Sequence, residues 1–225
     1  GIRDYKVTGV QTCALPILVL LVGVTGSIGM GKSTVAEMFK EHGYGVYNAD
    51  DTVHYIYEND EEVIEKVERQ FPGSTKDGVV NRLALRDILN KDPDKFRDLE
   101  QIVHPVTRKY QIIYIKKLIE EGKMGCVLDV PLLFETGGEK YVDVSVVVTA
   151  SEETQQSRVV LERKVPLEIF NAIKDQQMPD RDKLKKADYI ISTDNNIEDT
   201  KSEVQEVAAK IKLINPKAWN TFFNQ

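Results

Sequence analysis

Residues 26–33 read Gly-Ser-Ile-Gly-Met-Gly-Lys-Ser, a G-x-x-x-x-G-K-[ST] run, and an unbroken aliphatic stretch at 18–24 leads straight into it. A stretch with no polar alternation predicts a central parallel strand covered by helices on both faces. Beyond the run, Val35, Ala36, Met38 and Phe39 recur at helical spacing over residues 32–42, and Gly43 supplies the stop. Strand, glycine-rich turn and helix in that order leave little freedom. Glycines at 26, 29 and 31 let consecutive N–H groups converge on an anion, and the helix N-terminus adds its positive dipole end. Within the loop Gly26, Ser27, Ile28, Gly29, Met30, Gly31, Lys32, Ser33 and Thr34, Lys32 is expected to reach the β- and γ-phosphates of ATP. Ser33 is expected to offer its hydroxyl to Mg²⁺, a cation that prefers oxygen ligands.

Four more strands are expected, at residues 45–48, 126–130, 142–148 and 189–192, the middle two bounded by turn or helix signals. With helices between them they predict a parallel α/β sheet with right-handed crossovers, whose ligands belong at the strands' carboxyl ends. Residues 52–89 have a helical pattern broken by Phe71-Pro72-Gly73 and Lys76-Asp77-Gly78. Another helix starts at Asp92-Pro93, is interrupted or kinked at Pro105 and resumes to Glu121. No strand is expected between 52 and 122, so this block reads as a helical insertion suited to holding an acceptor. Charged helices are expected at 152–163 and 166–177, the place of a closing lid extending to about 186. Ile197, Val204, Val207, Ala208, Ile211 and Ile214 mark a last amphipathic helix before a tail at 215–225 containing Trp219, Phe222 and Phe223.

The formal net charge of −6 argues against a nucleic-acid binder, which carries a basic stripe. No apolar run is long enough to span a bilayer, because Pro16 and Gly23 interrupt the best candidate. Residues 1–4 and 7–17 read like the conceptual translation of a sequencing adapter, with Tyr5 and Lys6 where a variable index would sit. The native protein is therefore expected to begin near Leu18, with 1–17 a poorly ordered, non-native leader. It is not read as a signal peptide, since cleavage would remove the strand before the glycine-rich run. Setting it aside removes Cys13 and leaves Cys126 as a buried packing thiol with no disulfide framework, which fits a reducing cytoplasm. A monomer is the favoured state.

A phosphate loop does not by itself separate kinases from GTPases or motor ATPases. The guanine-reading N-K-x-D pattern is missing, because Asn90-Lys91-Asp92-Pro93 places proline where the aspartate belongs. Small size and a helical insertion favour a nucleotide-kinase-like arrangement of lobes closing over donor and acceptor. Asp50 follows the second strand, either as a helix N-cap or as a carboxylate orienting an attacking hydroxyl. Asp129 ends the third, either as a turn carboxylate or as an acid holding a Mg²⁺-bound water. Arg82 and Arg86 lie four apart and share a helix face. Arg158 and Arg163 fall where a lid would bring a guanidinium over the γ-phosphate.

Several motifs in order resemble the dephospho-CoA kinase family. They are the loop at 23–34, Asn48-Ala49-Asp50, Arg82 with Leu85-Arg86, His104-Pro105, Pro131-Leu132-Leu133-Phe134-Glu135, Gln155 with Arg158, Gln177, and Ala187-Asp188-Tyr189-Ile190-Ile191. The resemblance covers about Val19 to Ile214. It implies a P-loop NTPase fold, a doubly wound parallel five-stranded sheet with a helical acceptor-binding insertion and a lid. It also implies ATP-dependent phosphorylation of the ribose 3′-hydroxyl of dephospho-CoA. Under it Lys32, Asp50 and Arg158 are catalytic, and Arg158 and Thr193 join the loop in binding ATP. Asp50, Arg82, Arg86, His104, Pro131, Leu132 and Glu135 take the acceptor, and Ser33 and Asp129 serve the metal, Asp129 through water. Two departures stand out: Asn48 replaces the family's usual first aspartate, and the step from Arg158 to Arg163 is one residue longer than common. Another small-molecule kinase, such as a nucleoside or nucleotide kinase, or a silent nucleotide-binding module, would share the same loop.

Overall fold

The computed structural model describes residues 19–218 and 221; the leader at 1–17 and the residues Trp219, Phe222 and Phe223 lie outside the described residues. Five parallel strands form one sheet: β1 (Leu20–Thr25), β2 (Tyr44–Asn48), β5 (Gly125–Asp129), β6 (Val144–Thr149) and β7 (Tyr189–Ser192). Their spatial order is β2-β5-β1-β6-β7. The chain starts in the middle, runs to one edge, returns beside β1 and then crosses to the other edge. That reversal at β1 is the switch point at which open α/β sheets bind ligands beyond their carboxyl ends. The doubly wound five-stranded sheet is as expected.

Alternation along β1 sorts its side chains into two layers. Leu20, Val22 and Val24 pack with Val35, Ala36 and Met38 of α1 (Lys32–Met38) and Val204, Val207 and Ala208 of α9 (Ile197–Ile211). Val19 and Leu21 face the other way, against Ile115 and Leu118 of α5 (Phe96–Glu120). Cys126 is fully buried in this second layer and free, as expected.

The block between β2 and β5 has a core of its own. It comprises α2 (Ala49–Asn59), α3 (Glu61–Gln70), the two-residue strands β3 (Thr75–Lys76) and β4 (Val79–Val80), α4 (Arg82–Lys91) and the first half of α5. Ile56, Tyr57, Val63, Val67, Phe71, Val80, Leu85, Leu89 and Val103 form its apolar centre. One expectation fails here, and of the two readings of Pro105 the interruption fails. The block does contain strands, a hairpin in which Lys76 pairs with Val79. Asp77 and Gly78 take φ of 54° and 80°, the left-handed pair a two-residue hairpin turn demands. Pro105 does not end α5, which runs unbroken through it. The missing N–H costs one helical bond, and both halves of the helix are held by packing, one on the insertion core and the other on the sheet.

After β6 come α6 (Glu152–Gln156), a π-helical turn over Ser157–Glu162, α7 (Leu167–Asp175) and α8 (Asp180–Lys186). Only two helices are expected here, and α8 has no counterpart among them. Arg163 N donates to the Arg158 carbonyl at 3.2 Å, an i to i−5 bond. A π turn absorbs one extra residue without breaking a helix, and this accounts for the lengthened step between the two arginines.

Candidate active site

At the carboxyl end of β1 the chain turns at Gly26, where a Cβ would sit 2.4 Å from the Val148 carbonyl oxygen. Only glycine fits against that neighbouring strand. Gly29 has a φ of 80°, and a Cβ there would meet Val159 Cγ2 at 2.5 Å. The loop is thus pinned between β6 and the π turn, and it delivers Lys32 and Ser33 to the first turn of α1.

Both reach Asp129 at the end of β5. The Lys32 ammonium contacts Asp129 Oδ1, and Ser33 Oγ donates to Oδ2 at 3.1 Å. Burial pulls the Lys32 ammonium down to about 8; the negative charge of Asp50 opposes that pull and the positive charge of Lys183 adds to it. Asp50 therefore belongs to this electrostatic unit. It lies in the first turn of α2, but it is not the N-cap. Asn48 is, its Oδ1 accepting from Asp50 N at 2.8 Å and Asp51 N at 3.5 Å. The amide that replaces the usual aspartate thus caps the helix carrying Asp50.

A cleft of about 390 Å³ is lined by the loop from Gly26 to Thr34 together with Asp50, Pro131, Arg163, Ile173 and Gln177. A second, of about 370 Å³, adjoins it at Gly29, Gly31 and Thr34 and is closed by Arg158, Arg163, Thr193 and Asn195. Arg163 lines both. Arg158 turns inward, with Nη1 on Thr193 Oγ1 at 2.8 Å and Nη2 on the Thr193 carbonyl at 2.6 Å. Thr193 Oγ1 in turn donates to the Met30 carbonyl at 2.9 Å. Two glutamines clamp the loop from outside. Gln155 Nε2 donates to the Ile28 carbonyl at 2.7 Å, and Gln177 Oε1 accepts from Ile28 N at 3.0 Å. A roomier groove of about 590 Å³ runs along the free edge of β2 and touches Asp51, Thr52 and Tyr55. Those residues occupy the face of α2 turned away from Asp50.

Arg82, Arg86 and His104 are exposed on α4 and α5, and none of them lines either cleft. Arg82 Nη1 is in contact with His54 Nε2 on α2. Pro131 and Leu132 are exposed beyond β5, and Glu135 is half-buried. Its Oε1 accepts from Met178 N at 2.8 Å and lies 3.0 Å from the ammonium of Lys183, which is fully buried. Burial works to raise the Glu135 pKa, but the Met178 amide and Lys183 outweigh it and hold the carboxyl below its usual range. Lys183 also lies 3.4 Å from the Pro131 carbonyl, which accepts from Thr25 Oγ1 at 3.2 Å as well. His54 is not among the expected site residues, and Lys183 is one of several lysines expected near phosphates or on the surface. His54 stands one turn after Asp50, a legible signal; Lys183 sits in a lysine-rich run that reads as surface.

The dephospho-CoA kinase profile matches residues 20–199. A dephospho-CoA kinase of Rhodopseudomonas palustris (strain HaA2) is 44% identical over 188 residues, covering 84% of this chain and 94% of its own. One from Agrobacterium fabrum is 39% identical over 194 residues, covering 86% and 99%. Among solved structures, TT1252 from Thermus thermophilus superposes with a TM-score of 0.73 at 31% identity, over 88% of this chain and 99% of that one. Dephospho-CoA kinase from Campylobacter jejuni gives 0.63 at 29%, over 85% and 96%. The family uses ATP to phosphorylate dephospho-CoA to CoA, the last step of CoA synthesis. The chain belongs to the dephospho-CoA kinase family.

Proposed function

We propose that this chain transfers the γ-phosphoryl group of ATP to the ribose 3′-hydroxyl of dephospho-CoA, giving CoA and ADP. The observation that carries it is the meeting of the phosphate loop, Lys32, Ser33 and Asp129 with Asp50 around one cleft, in a member of this family. The loop amides from Gly26 to Thr34 take the phosphates, and Lys32 exchanges Asp129 for β- and γ-oxygens. Thr193 and Arg158 border the adjoining cleft, which we assign to the nucleoside of ATP. Ser33 and Asp129 offer two hard oxygens side by side and no nitrogen or sulfur, a set that fits Mg²⁺, which keeps most of its shell for water and substrate. Ser33 would hold the ion directly and Asp129 through water. When bound, Mg²⁺ neutralises charge developing on the transferred group.

Asp50 orients the 3′-hydroxyl and accepts its proton. Phosphoryl transfer passes through a loose transition state, so alignment matters more than basicity. Arg158 and Arg163 stand on the segment we assign as the lid, about 152–186, and supply positive charge as it closes. Block 52–122 is assigned to the acceptor, with Arg82, Arg86 and His104 taking its anionic groups and Pro131, Leu132 and Glu135 shaping the wall beside the hydroxyl. We assign the enzyme to the cytoplasm as a monomer working on small molecules; the net charge of −6 supports the further reading that it does not act on nucleic acid. Among the described residues no helix is long and apolar enough to cross a membrane.

An ADP-release assay with Mg-ATP and dephospho-CoA tests the proposal. Turnover is expected, and Asp50→Ala should lower kcat by about a hundredfold or more. Phosphorylation of nucleosides or nucleotides with dephospho-CoA untouched would overturn the assignment of acceptor, and full activity in Asp50→Ala would remove that carboxylate from the mechanism.

A further inference from the structure

Asp50 and His54 are one turn apart on α2, so they share a face and stand about 6 Å apart along the helix axis. Asp50 looks into the cleft of the phosphate loop. His54 lies one step further out, in contact with Arg82 across the gap to α4. Arg82 is the first residue of α4, whose start is fixed by Asn81 Oδ1 accepting from Leu83 N at 3.1 Å and Ala84 N at 3.2 Å. The backbone beneath the guanidinium is therefore anchored, while its long side chain needs something else to aim it.

A guanidinium has donors only. Its contact with Nε2 is a hydrogen bond when that nitrogen keeps its lone pair and the ring proton sits on Nδ1. In this form His54 directs Arg82 without neutralising it. None of the ion pairs formed among the described residues uses Arg82 or Arg86, so neither guanidinium is neutralised by a carboxylate at ion-pair distance. Arg82 also senses the phenol of Tyr57, the next residue along the same face of α2. An exposed, aimed and uncompensated guanidinium, held by the histidine one helical turn from a carboxylate, is suited to a molecule whose hydroxyl and anionic group are separated by a turn of helix or more. Dephospho-CoA has that form: its diphosphate is attached at the 5′-carbon of the ribose whose 3′-hydroxyl is phosphorylated.

We propose that His54 is a positioning residue for the acceptor: it accepts a hydrogen bond from Arg82 and so aims that guanidinium at the 5′-diphosphate when the 3′-hydroxyl is at Asp50. The assignment rests on the proposed acceptor and deepens it. His54 acts through Arg82 and takes no part in the proton transfer. Its effect therefore falls on the acceptor, with ATP nearly indifferent to it.

The test is steady-state kinetics with Mg-ATP and dephospho-CoA on wild type, His54→Ala, His54→Gln, Arg82→Ala and the double variant His54→Ala/Arg82→Ala. His54→Ala is expected to raise the acceptor KM about tenfold, the scale of one hydrogen bond to a charged group, with kcat and the ATP KM moving by less than about threefold. His54→Gln, whose Oε1 offers an acceptor of similar reach, should recover most of the loss. The double variant should be no worse than Arg82→Ala, since His54 has nothing to aim once the guanidinium is gone. Additive losses in the double variant, an unchanged acceptor KM in His54→Ala, or equal rises in both KM values would overturn the proposal. Wild-type turnover is read first: a wild type inert toward dephospho-CoA sinks the acceptor assignment, whereas an active wild type with an indifferent His54 sinks only this inference.

Discussion

Lys32, Arg158 and Thr193 around the phosphate loop are each held by an internal partner, and the loop itself is squeezed by β6, a π turn and two glutamines. Arg82, Arg86 and His104, by contrast, are exposed, on helices that pack around a separate apolar centre. The phosphate-loop side is thus built of backbone and buried polar contacts. Arg82, Arg86 and His104 stand on a second core, which α5 ties to the sheet by packing one half on each, and which α2 also bridges through Ala49 on the sheet side and Ile56 in the insertion. Binding a triphosphate through main-chain amides demands fixed geometry, and an extended acceptor is better met by side chains that can adjust.

If the two cores are separable, damage to one should spare the other. Phe71 is fully buried in the insertion centre, among Val63, Val67 and Leu85. Phe71→Ala is expected to cost the insertion about 3–5 kcal/mol. Hydrogen exchange should show the loss in α3 and α4 with β1 and β6 protected as before. Mg-ATP affinity by calorimetry should stay within about twofold, as for sites with no shared partners. A matching collapse in ATP affinity would show that the cores fold as one unit.

Lys183 tests the seam between α8 and the segment that follows β5. It joins α8 to Glu135 and to the Pro131 carbonyl, so Lys183→Met leaves the Glu135 carboxylate half-buried without its ammonium. The expected loss is about 3 kcal/mol, the scale of breaking a buried pair by removing one partner. Its sign with pH is informative. In the wild type the Glu135 pKa is depressed, so its contribution is complete above the unfolded glutamate value and fades as pH falls through the folded one. In the variant, burial without Lys183 pushes that pKa up, and protonation relieves the strain. The stability gap measured by urea denaturation should therefore narrow from neutral pH toward pH 5. A gap that stayed constant would mean the carboxylate is reached by water.

The same contrast governs what could be read in advance. The sheet and the phosphate loop were legible because they rest on local chemistry: aliphatic runs, glycines whose Cβ would collide, and a lysine and serine at fixed offsets. The hairpin at Lys76-Asp77-Gly78-Val79 was just as local, and its Asp-Gly turn signal was present but taken for a break between helices. Other features depend on distant neighbours. Pro105 is tolerated because packing on two cores outweighs one lost hydrogen bond, and Lys183 is buried because Glu135 and the Pro131 carbonyl come to it from another part of the chain. Asn48 departs from the family pattern, yet as an N-cap it is a good residue, which spacing alone could not disclose. The π turn explains an anomaly that was visible in sequence as one residue too many.

Thr193 gives the finest test of the phosphate-loop side. Its hydroxyl donates to the Met30 carbonyl and accepts from Arg158 Nη1, so one oxygen ties β7's end to the loop and to the arginine together. Valine has the same shape and lacks both bonds. Thr193→Val should cost about 1 kcal/mol of stability, seen as a small fall in Tm. Arg158 keeps its Nη2 bond to the residue 193 carbonyl, so it should loosen without leaving. The ATP KM is therefore expected to rise about threefold while the acceptor KM stays where it was, because no acceptor-side residue touches this hydroxyl. Equal shifts in both would mean that donor and acceptor sites are coupled through the loop, and that the two regions contrasted above move as one.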